Sequence, residues 1–106
     1  MLAQTLYMLG DKLSETTKSN VMNALETRIL KPMDRHFEGD PDILKRHGWK
    51  DSENNWNIVC WGGVATVGIS TISDETRRER FVTEAFKGAQ YSWKSWKSDG
   101  FLHEGI

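Results

Sequence analysis

The sequence predicts an all-α domain of about four helices arranged in antiparallel hairpins. Apolar residues recur at helical spacing along residues 21–33 and again along residues 81–96. Between these segments, the run 58–72 carries no charged residue and is too long for a buried strand, so it is also predicted to be a helix. Because the chain has 106 residues, enough for one modest core, we expect residues 1–106 to form a single helical domain.

The first two helices are predicted from their end signals. Residues 2–9 are apolar, and Gly10 follows them as a plausible helix C-cap. Ser14 is a favourable N-cap for the second helix, since its hydroxyl accepts from a free backbone N–H. Pro32 lacks a backbone N–H, so this second helix is expected to kink or stop close to Leu30.

A long loop is predicted between the second and third helices. Residues 39–42 have turn chemistry, and a basic segment at residues 45–50 follows. A loop of about eighteen residues is long for a compact helical domain, and such loops are usually functional or flexible. The basic segment could meet an anionic ligand, but a solvated surface loop is the commoner explanation.

The third helix is expected to run from about residue 56 to residue 72. Gly62, Gly63 and Gly68 lower its helix propensity, so they should permit close helix packing or the close approach of a ligand. Ser73 is the expected N-cap of the fourth helix. The apolar residues of that fourth helix are expected to form one stripe: Phe81, Val82, Ala85, Phe86, Ala89, Trp93 and Trp96.

Composition excludes several classes of function. With 14 basic and 15 acidic residues the chain has no polyelectrolyte character, which argues against nucleic-acid binding. The apolar run is too short and too rich in glycine, serine and threonine for a convincing membrane span. Neither a glycine-rich phosphate motif nor a close His/Cys pairing is present, so no cofactor and no metal are expected. The N-terminal segment lacks the basic region of a signal peptide.

Three asparagines at the start of the third helix are the main candidates for a site. Asn54, Asn55 and Asn57 could donate hydrogen bonds to a carboxylate, above a tryptophan-rich wall suited to stacking on a sugar. Alternatively, they cap the helix and tie down the loop before it. The five tryptophans have the same two interpretations, since core packing explains an aromatic excess at least as well as sugar stacking does.

Several segments of the chain resemble the α/α-toroid domain of the heparinase II/III-like polysaccharide lyases. The segments that carry the resemblance are Gly48-Trp49-Lys50, the stretch 54–60 and Gly62-Gly63-Val64, with a weaker match at residues 98–105. The resemblance implies β-elimination of a uronic-acid-containing polysaccharide, with Asn55 as the catalytic contact to the substrate carboxylate. The substrate-binding residues that it implies are Asn54, Trp56, Asn57, Trp49, His103 and Glu104.

The chain also departs from this family. The family's catalytic tyrosine would fall just beyond Ile106, and its β-sandwich domain has no counterpart here. We therefore expect a toroid fragment that is not catalytically competent alone, with an acidic polysaccharide as partner and a periplasmic or secreted location implied by the family. A toroid slice leaves apolar helix faces uncovered, so we also expect a homo-oligomer, a dimer that packs through the third or fourth helix.

Two other functions remain open at this level. The first is a non-catalytic helical module that binds carbohydrate or associates with itself. The second is a fragment of an α/α-barrel glycoside hydrolase, in which two carboxylates, Glu104 among them, would act on a glycosidic bond.

Overall fold

The computed structural model describes residues 2–99, and these residues form an all-α domain without a β-strand. His103 and Glu104, two of the predicted substrate contacts, lie outside the described residues. The helices, in chain order, are α1 Leu2–Leu9, α2 Glu15–Leu25, α3 Lys31–Phe37, α4 Pro41–Arg46, α5 Asn55–Thr71 and α6 Glu75–Trp93. A 3₁₀ turn, Gly10–Lys12, follows α1, and a π-helical turn, Glu26–Leu30, joins α2 to α3.

The start of α2 agrees with the predicted cap. The hydroxyl of Ser14 accepts a hydrogen bond from the backbone N–H of Thr17 at 3.2 Å. Gly10 differs from the prediction, because the chain does not stop there but tightens into the 3₁₀ turn before α2 begins. Tightened last turns of this kind are common at helix ends, where they satisfy free carbonyl groups.

Of the two outcomes predicted close to Leu30, a kink or a stop, the stop does not occur, while the regular α-helix is interrupted there by the π turn. The chain stays helical through the π turn and on into α3, with Pro32 in the first turn of α3. The backbone N–H of Lys31 bonds to the carbonyl of Glu26, five residues earlier. This wider turn changes the hydrogen-bond register just before Pro32, so the helix accommodates a residue that lacks a donor.

The long loop predicted before the third helix contains the short helix α4. Asp40 caps this helix, since its Oδ1 accepts from the backbone N–H of Asp42 at 3.0 Å and of Ile43 at 3.3 Å. Pro41 occupies the first helical position, where a missing N–H costs nothing. Ile43 is buried and anchors α4 to the rest of the domain.

The antiparallel hairpin of α5 and α6 forms the centre of the fold. The bounds of α5 match the predicted third helix to within a residue, and the short connection 72–74 reverses the chain. The N-cap of α6 is Asp74 and not Ser73, because the Asp74 carboxylate accepts from the backbone N–H of Arg77 at 2.7 Å. On its other side, α5 packs against α1.

The predicted single apolar stripe of the last helix is divided between two faces. Phe81 and Ala85 are buried against α5, and Gly88 and Ser92 complete this buried face. Gly68 on α5 permits the close packing, since a Cβ there would lie 2.8 Å from the Cβ of Phe81. Val82, Phe86 and Trp93 are exposed on a neighbouring face, and Trp96, the last predicted member of the stripe, is also exposed and lies beyond the end of α6 at Trp93.

An ionic cluster connects the first turn of α6 to the π turn and to α3. The guanidinium of Arg77 on α6 contacts Glu26 at 3.0 Å and Asp34 at 2.6 Å. Hydrogen bonds to these two carboxylates raise the pKa of Arg77 above its usual range, although burial opposes the change. All three side chains are partly exposed, so the cluster positions the elements more than it stabilises them.

Candidate functional site

The asparagine segment serves the start of α5. Asn54 is the N-cap of this helix, and its Oδ1 accepts from the backbone N–H of Trp56 at 3.2 Å and from the hydroxyl of Ser52 at 2.9 Å. One of the two interpretations of the asparagines was that they cap the third helix and tie down the loop before it. For Asn54, both of these roles are confirmed.

Asn57 lies in the core, with 0% of its surface exposed. Its Nδ2 donates to the carbonyl of Trp49 at 3.1 Å and to the carbonyl of Lys50 at 2.9 Å. Its Oδ1 accepts from the backbone N–H of Ser92 at 3.3 Å. The Asn57 amide therefore joins the segment before α5 to the end of α6, in a position from which it contacts no solvent and no surface ligand.

The other predicted contacts are distributed around the same end of the molecule. Asn55 and Trp56 are exposed on the first turn of α5, Trp56 to 64%. Trp49 is half-buried and packs edge-on against Trp61, with ring centroids 5.0 Å apart. The structure thus separates the predicted residues into an exposed pair, a buried amide and an aromatic side chain at the edge of the core.

A polar cleft opens between α6 and the segment before α5. Its volume is about 260 Å³. Tyr91 is its exposed aromatic residue, and the indole of Trp61 reaches it from the core. Among the described residues, the lining consists of His36, Lys50, Asp51, Trp61, Glu84, Lys87, Gly88 and Tyr91, and it includes none of the predicted contacts that lie between residues 2 and 99.

Trp61 is positioned by two interactions that make it a wall of the cleft. Its Nε1–H donates to the carbonyl of Lys50 at 3.1 Å, next to the bonds that Asn57 makes. The same edge of its ring lies against α6, because a Cβ at Gly88 would be 2.0 Å from the Cε2 and 2.2 Å from the Nε1 of Trp61. Any larger residue at position 88 would displace the indole, so Gly88 is required for this wall.

The charges around the cleft occur in neighbouring pairs. Lys50 contacts Asp51 at 3.2 Å, and Lys87 contacts Glu84 at 2.9 Å. The two ammonium groups and two carboxylates cancel formally, so the cleft is polar without a net charge when His36 is neutral. Such a lining offers both donors and acceptors to a ligand rich in hydroxyl groups.

Two histidines are in direct contact beneath the cleft. The Nδ1 atoms of His36 and His47 are 2.9 Å apart, and their rings are stacked at 27°. Burial lowers the pKa of His36 below 6.5, and the charges of His47 and Lys50 lower it further, while Glu84 opposes them. Burial and then Lys50 lower the pKa of His47. Both rings are therefore neutral at pH 7, and one donates to the other.

Sequence reasoning missed most of the residues that line this cleft, although Lys50 belongs to the basic segment that was considered for an anionic ligand. His36, Glu84 and Lys87 belong to two helices and looked like ordinary surface residues. The signal that could have pointed to the cleft was Gly88, a helix-interior glycine that costs about 1 kcal/mol relative to alanine. A glycine retained at such a position indicates that something packs against the helix backbone.

Other site chemistry has little support in the described residues. No group of three or more His, Cys, Asp or Glu side chains between residues 2 and 99 is placed to hold a metal ion. Burial raises the pKa of the Cys60 thiol, which disfavours the reactive thiolate. Within the same range, no helix has the length and apolar character needed to cross a bilayer.

The comparisons with known proteins give no assignment. No family model, no curated protein and no solved structure matches this chain.

Proposed function

We propose that this chain is a non-catalytic carbohydrate-binding module whose polar cleft takes one unit of an acidic saccharide. The observation that carries the proposal is the combination of an exposed aromatic ring, Tyr91, with ammonium groups from Lys50 and Lys87 around one cleft, whose lining also includes the buried indole of Trp61. Its volume of about 260 Å³ is close to the about 300 Å³ at which small-ligand pockets begin, which suits a single sugar ring.

The chemistry of a uronic acid matches this lining group by group. The apolar C–H face of a sugar packs on an aromatic ring, and its hydroxyls bond to carboxylates and ammonium groups. The uronate carboxylate would form a charge-assisted hydrogen bond with Lys87 or Lys50. In doing so it would replace Glu84 or Asp51 as the partner of that lysine, so part of the binding energy would be spent on exchanging one ion pair for another.

The proposal stops short of lyase activity. The resemblance to the polysaccharide lyases supports an acidic saccharide as ligand, but the residue it implies for catalysis, Asn55, lies outside the cleft on an exposed helix start. We expect no turnover when the chain is incubated with heparin or alginate and the absorbance of unsaturated product is followed. An enzymatic rate would show instead that the chain is a competent lyase.

Binding to uronate oligosaccharides measured by calorimetry tests the proposal. The variants Tyr91→Ala and Lys87→Ala should each weaken binding by about tenfold, the effect of about 1.4 kcal/mol. Tyr7→Ala is the matched control, because Tyr7 is an exposed tyrosine on α1, away from the cleft. The proposal is overturned if no oligosaccharide binds at millimolar concentration, or if Tyr91→Ala binds as tightly as the unmodified chain.

A second candidate function is self-association. The observation that favours it is an exposed apolar surface on one side of the hairpin, here called the outer face and defined by Val59, Gly62, Gly63, Ile69, Val82 and Phe86. Soluble monomers rarely expose a contiguous apolar surface of more than a few hundred Å². Sedimentation equilibrium at tens of micromolar tests this candidate, and a mass equal to the monomer's 12.2 kDa would contradict it.

A further inference from the structure

We infer that the outer face is the contact surface of a homodimer in which α5 of one copy packs against α5 of a second copy across Gly62 and Gly63. This inference rests on the second candidate function, self-association, and is independent of saccharide binding. Beyond self-association in general, it names the surface that makes the contact, the partner, and the residues at which the two helices approach most closely.

The helix α5 lacks charged side chains on every side. No charged residue occurs from Ile58 to Ile72, although Val59 and Ile69 are exposed to 62% and 59%. A helix that is hydrophobic all round is normally covered all round. Within the described residues, α5 is covered by α6 and by α1, so its third side still lacks a neighbour.

The two adjacent glycines of α5 also favour a partner at this face. Among residues 2–99, nothing lies within 4 Å of a Cβ built at Gly62 or at Gly63, so no contact within this part of the chain requires a glycine there. Gly68 and Gly88, in contrast, each face an aromatic side chain at short distance. Each helix-interior glycine costs about 1 kcal/mol relative to alanine. A second helix packed closely against this point would account for that cost, because two helices approach more closely where side chains are absent.

The surface of the outer face is suited to burial. The hydroxyl of Thr66, which lies between Gly62 and Ile69 on this side of α5, donates to the carbonyl of Gly62 at 2.8 Å and so has a partner already. The rings of Phe86 and Trp93 extend the face along α6, edge to face at a centroid distance of 5.8 Å. An apolar groove between α5 and α6 leads from Ile58 past Gly62 to Val82 and Phe86.

Charge and size identify the partner as a second copy. The residues that define the outer face carry no charge, while Glu75, Arg78 and Glu79 lie beside Ile69 and Val82 at one end of it. An uncharged face fits best against another uncharged face, since an ion buried against it would lose its hydration. The same outer face of a second copy meets this requirement and brings the same two glycines to the contact. A 17-residue helix is about 25 Å long, and two packed helices are about 20 Å wide. The area of such a rectangle, about 500 Å², is below the about 800 Å² per partner of a standard interface and places this contact among the smaller, weaker interfaces.

Sedimentation equilibrium of the full chain and three variants tests this inference. The unmodified chain should have about twice the 12.2 kDa monomer mass at tens of micromolar. Gly62→Glu and Phe86→Glu each place a charge on the outer face and should weaken dimerisation at least tenfold. Gly62→Glu has open space for its side chain and a higher helix propensity than glycine, so the variant should fold, which circular dichroism will verify.

Asn20→Glu is the matched control, because it adds the same charge at an exposed position on α2, a helix that carries no residue of the outer face, and it should remain dimeric. A monomeric unmodified chain would overturn both self-association and this interface. A dimer that is unaffected by Gly62→Glu and Phe86→Glu would leave self-association standing and refute the outer face as its surface. Equal loss of the dimer in Asn20→Glu would also refute it.

Discussion

The indole of Trp61 lies so close to Gly88 that a single added methyl group at position 88 would overlap it, with a Cβ 2.0 Å from the Cε2 of Trp61. This contact joins the two central helices and forms one wall of the cleft. The N–H on the same edge of the indole donates to the carbonyl of Lys50 at 3.1 Å. The stability of the hairpin and the shape of the proposed site therefore depend on the same contact.

Gly88→Ala should destabilise the domain although alanine is the better helix former. The methyl group must push the Trp61 ring or α6 aside, and overpacking of this kind costs about 1–3 kcal/mol of unfolding free energy. Urea denaturation followed by circular dichroism measures the change. The control is Gly62→Ala, where the added methyl group has open space and should increase monomer stability by up to about 1 kcal/mol. Equal effects of both variants would contradict the packing described here.

Asn57→Ala should be among the most destabilising polar substitutions. It removes three hydrogen bonds in a fully buried position, to the carbonyls of Trp49 and Lys50 and from the N–H of Ser92, and each such bond contributes about 0.5–1.5 kcal/mol. The free energy of unfolding measures this loss. Asn20→Ala, at an exposed position of α2, is the control and should change stability by less than about 0.5 kcal/mol. A similarly small effect at position 57 would show that the amide network contributes little.

The stability of the fold should decrease in acid below about pH 6.5. Burial and neighbouring positive charge lower the folded-state pKa of His36 and His47, so the unfolded chain binds more protons in this range. The stability that the two neutral histidines contribute is fully present above pH 6.5, and it is lost as the pH falls through their folded-state pKa values. Protonation of both rings would also place two cations at the 2.9 Å contact.

Thermal unfolding across pH 5 to 7.5 measures this dependence, and His36→Gln provides the comparison. Glutamine keeps a polar side chain but cannot titrate, so the slope of Tm against pH between 6.5 and 5 should become shallower. Carboxylates titrate mainly below this window. An unchanged slope in His36→Gln would show that the histidine pair is not the origin of the pH dependence.

Arg77→Ala should lower stability by up to about 1 kcal/mol, because Arg77 is shared by Glu26 and Asp34 and its loss leaves the two carboxylates without their common cation. The loss should be smaller in high salt, which screens partly exposed charges. Arg28→Ala, at an exposed position of the π turn, serves as the control. A loss that does not change between low and high salt would contradict an electrostatic origin.

The sequence predicted the elements whose signals are local. The caps at Ser14 and Asn54 and the bounds of α5 follow from neighbouring residues, so they could be inferred from the chain alone. The π turn before Pro32 could not, because the wider register depends on packing across the whole segment. The helix α4 was missed although Asp40-Pro41 is a helix-start signal, since the adjacent Gly39 favoured a turn.

The cleft depends on contacts between residues that are distant in the sequence, and for this reason it was not predicted. Asn57 and Ser92 meet only because α5 and α6 form a hairpin, and His36 meets His47 only because α4 turns back on α3. A cluster of asparagines can indicate a helix cap, a buried polar network or a binding site, and the sequence alone does not distinguish them. In this chain Asn54 caps a helix, Asn57 belongs to a buried network, and other residues line the cleft.

The central claim, that the polar cleft binds an acidic saccharide unit, is tested most directly by amide chemical shifts. The nitrogen-15-labelled chain would be titrated with a uronate oligosaccharide while the shift of each backbone amide is followed. The proposal expects saturable shifts concentrated at Lys50, Asp51, Gly88 and Tyr91, which line the cleft. Shifts confined to Asn55 and Trp56, or no shifts at millimolar saccharide, would contradict it.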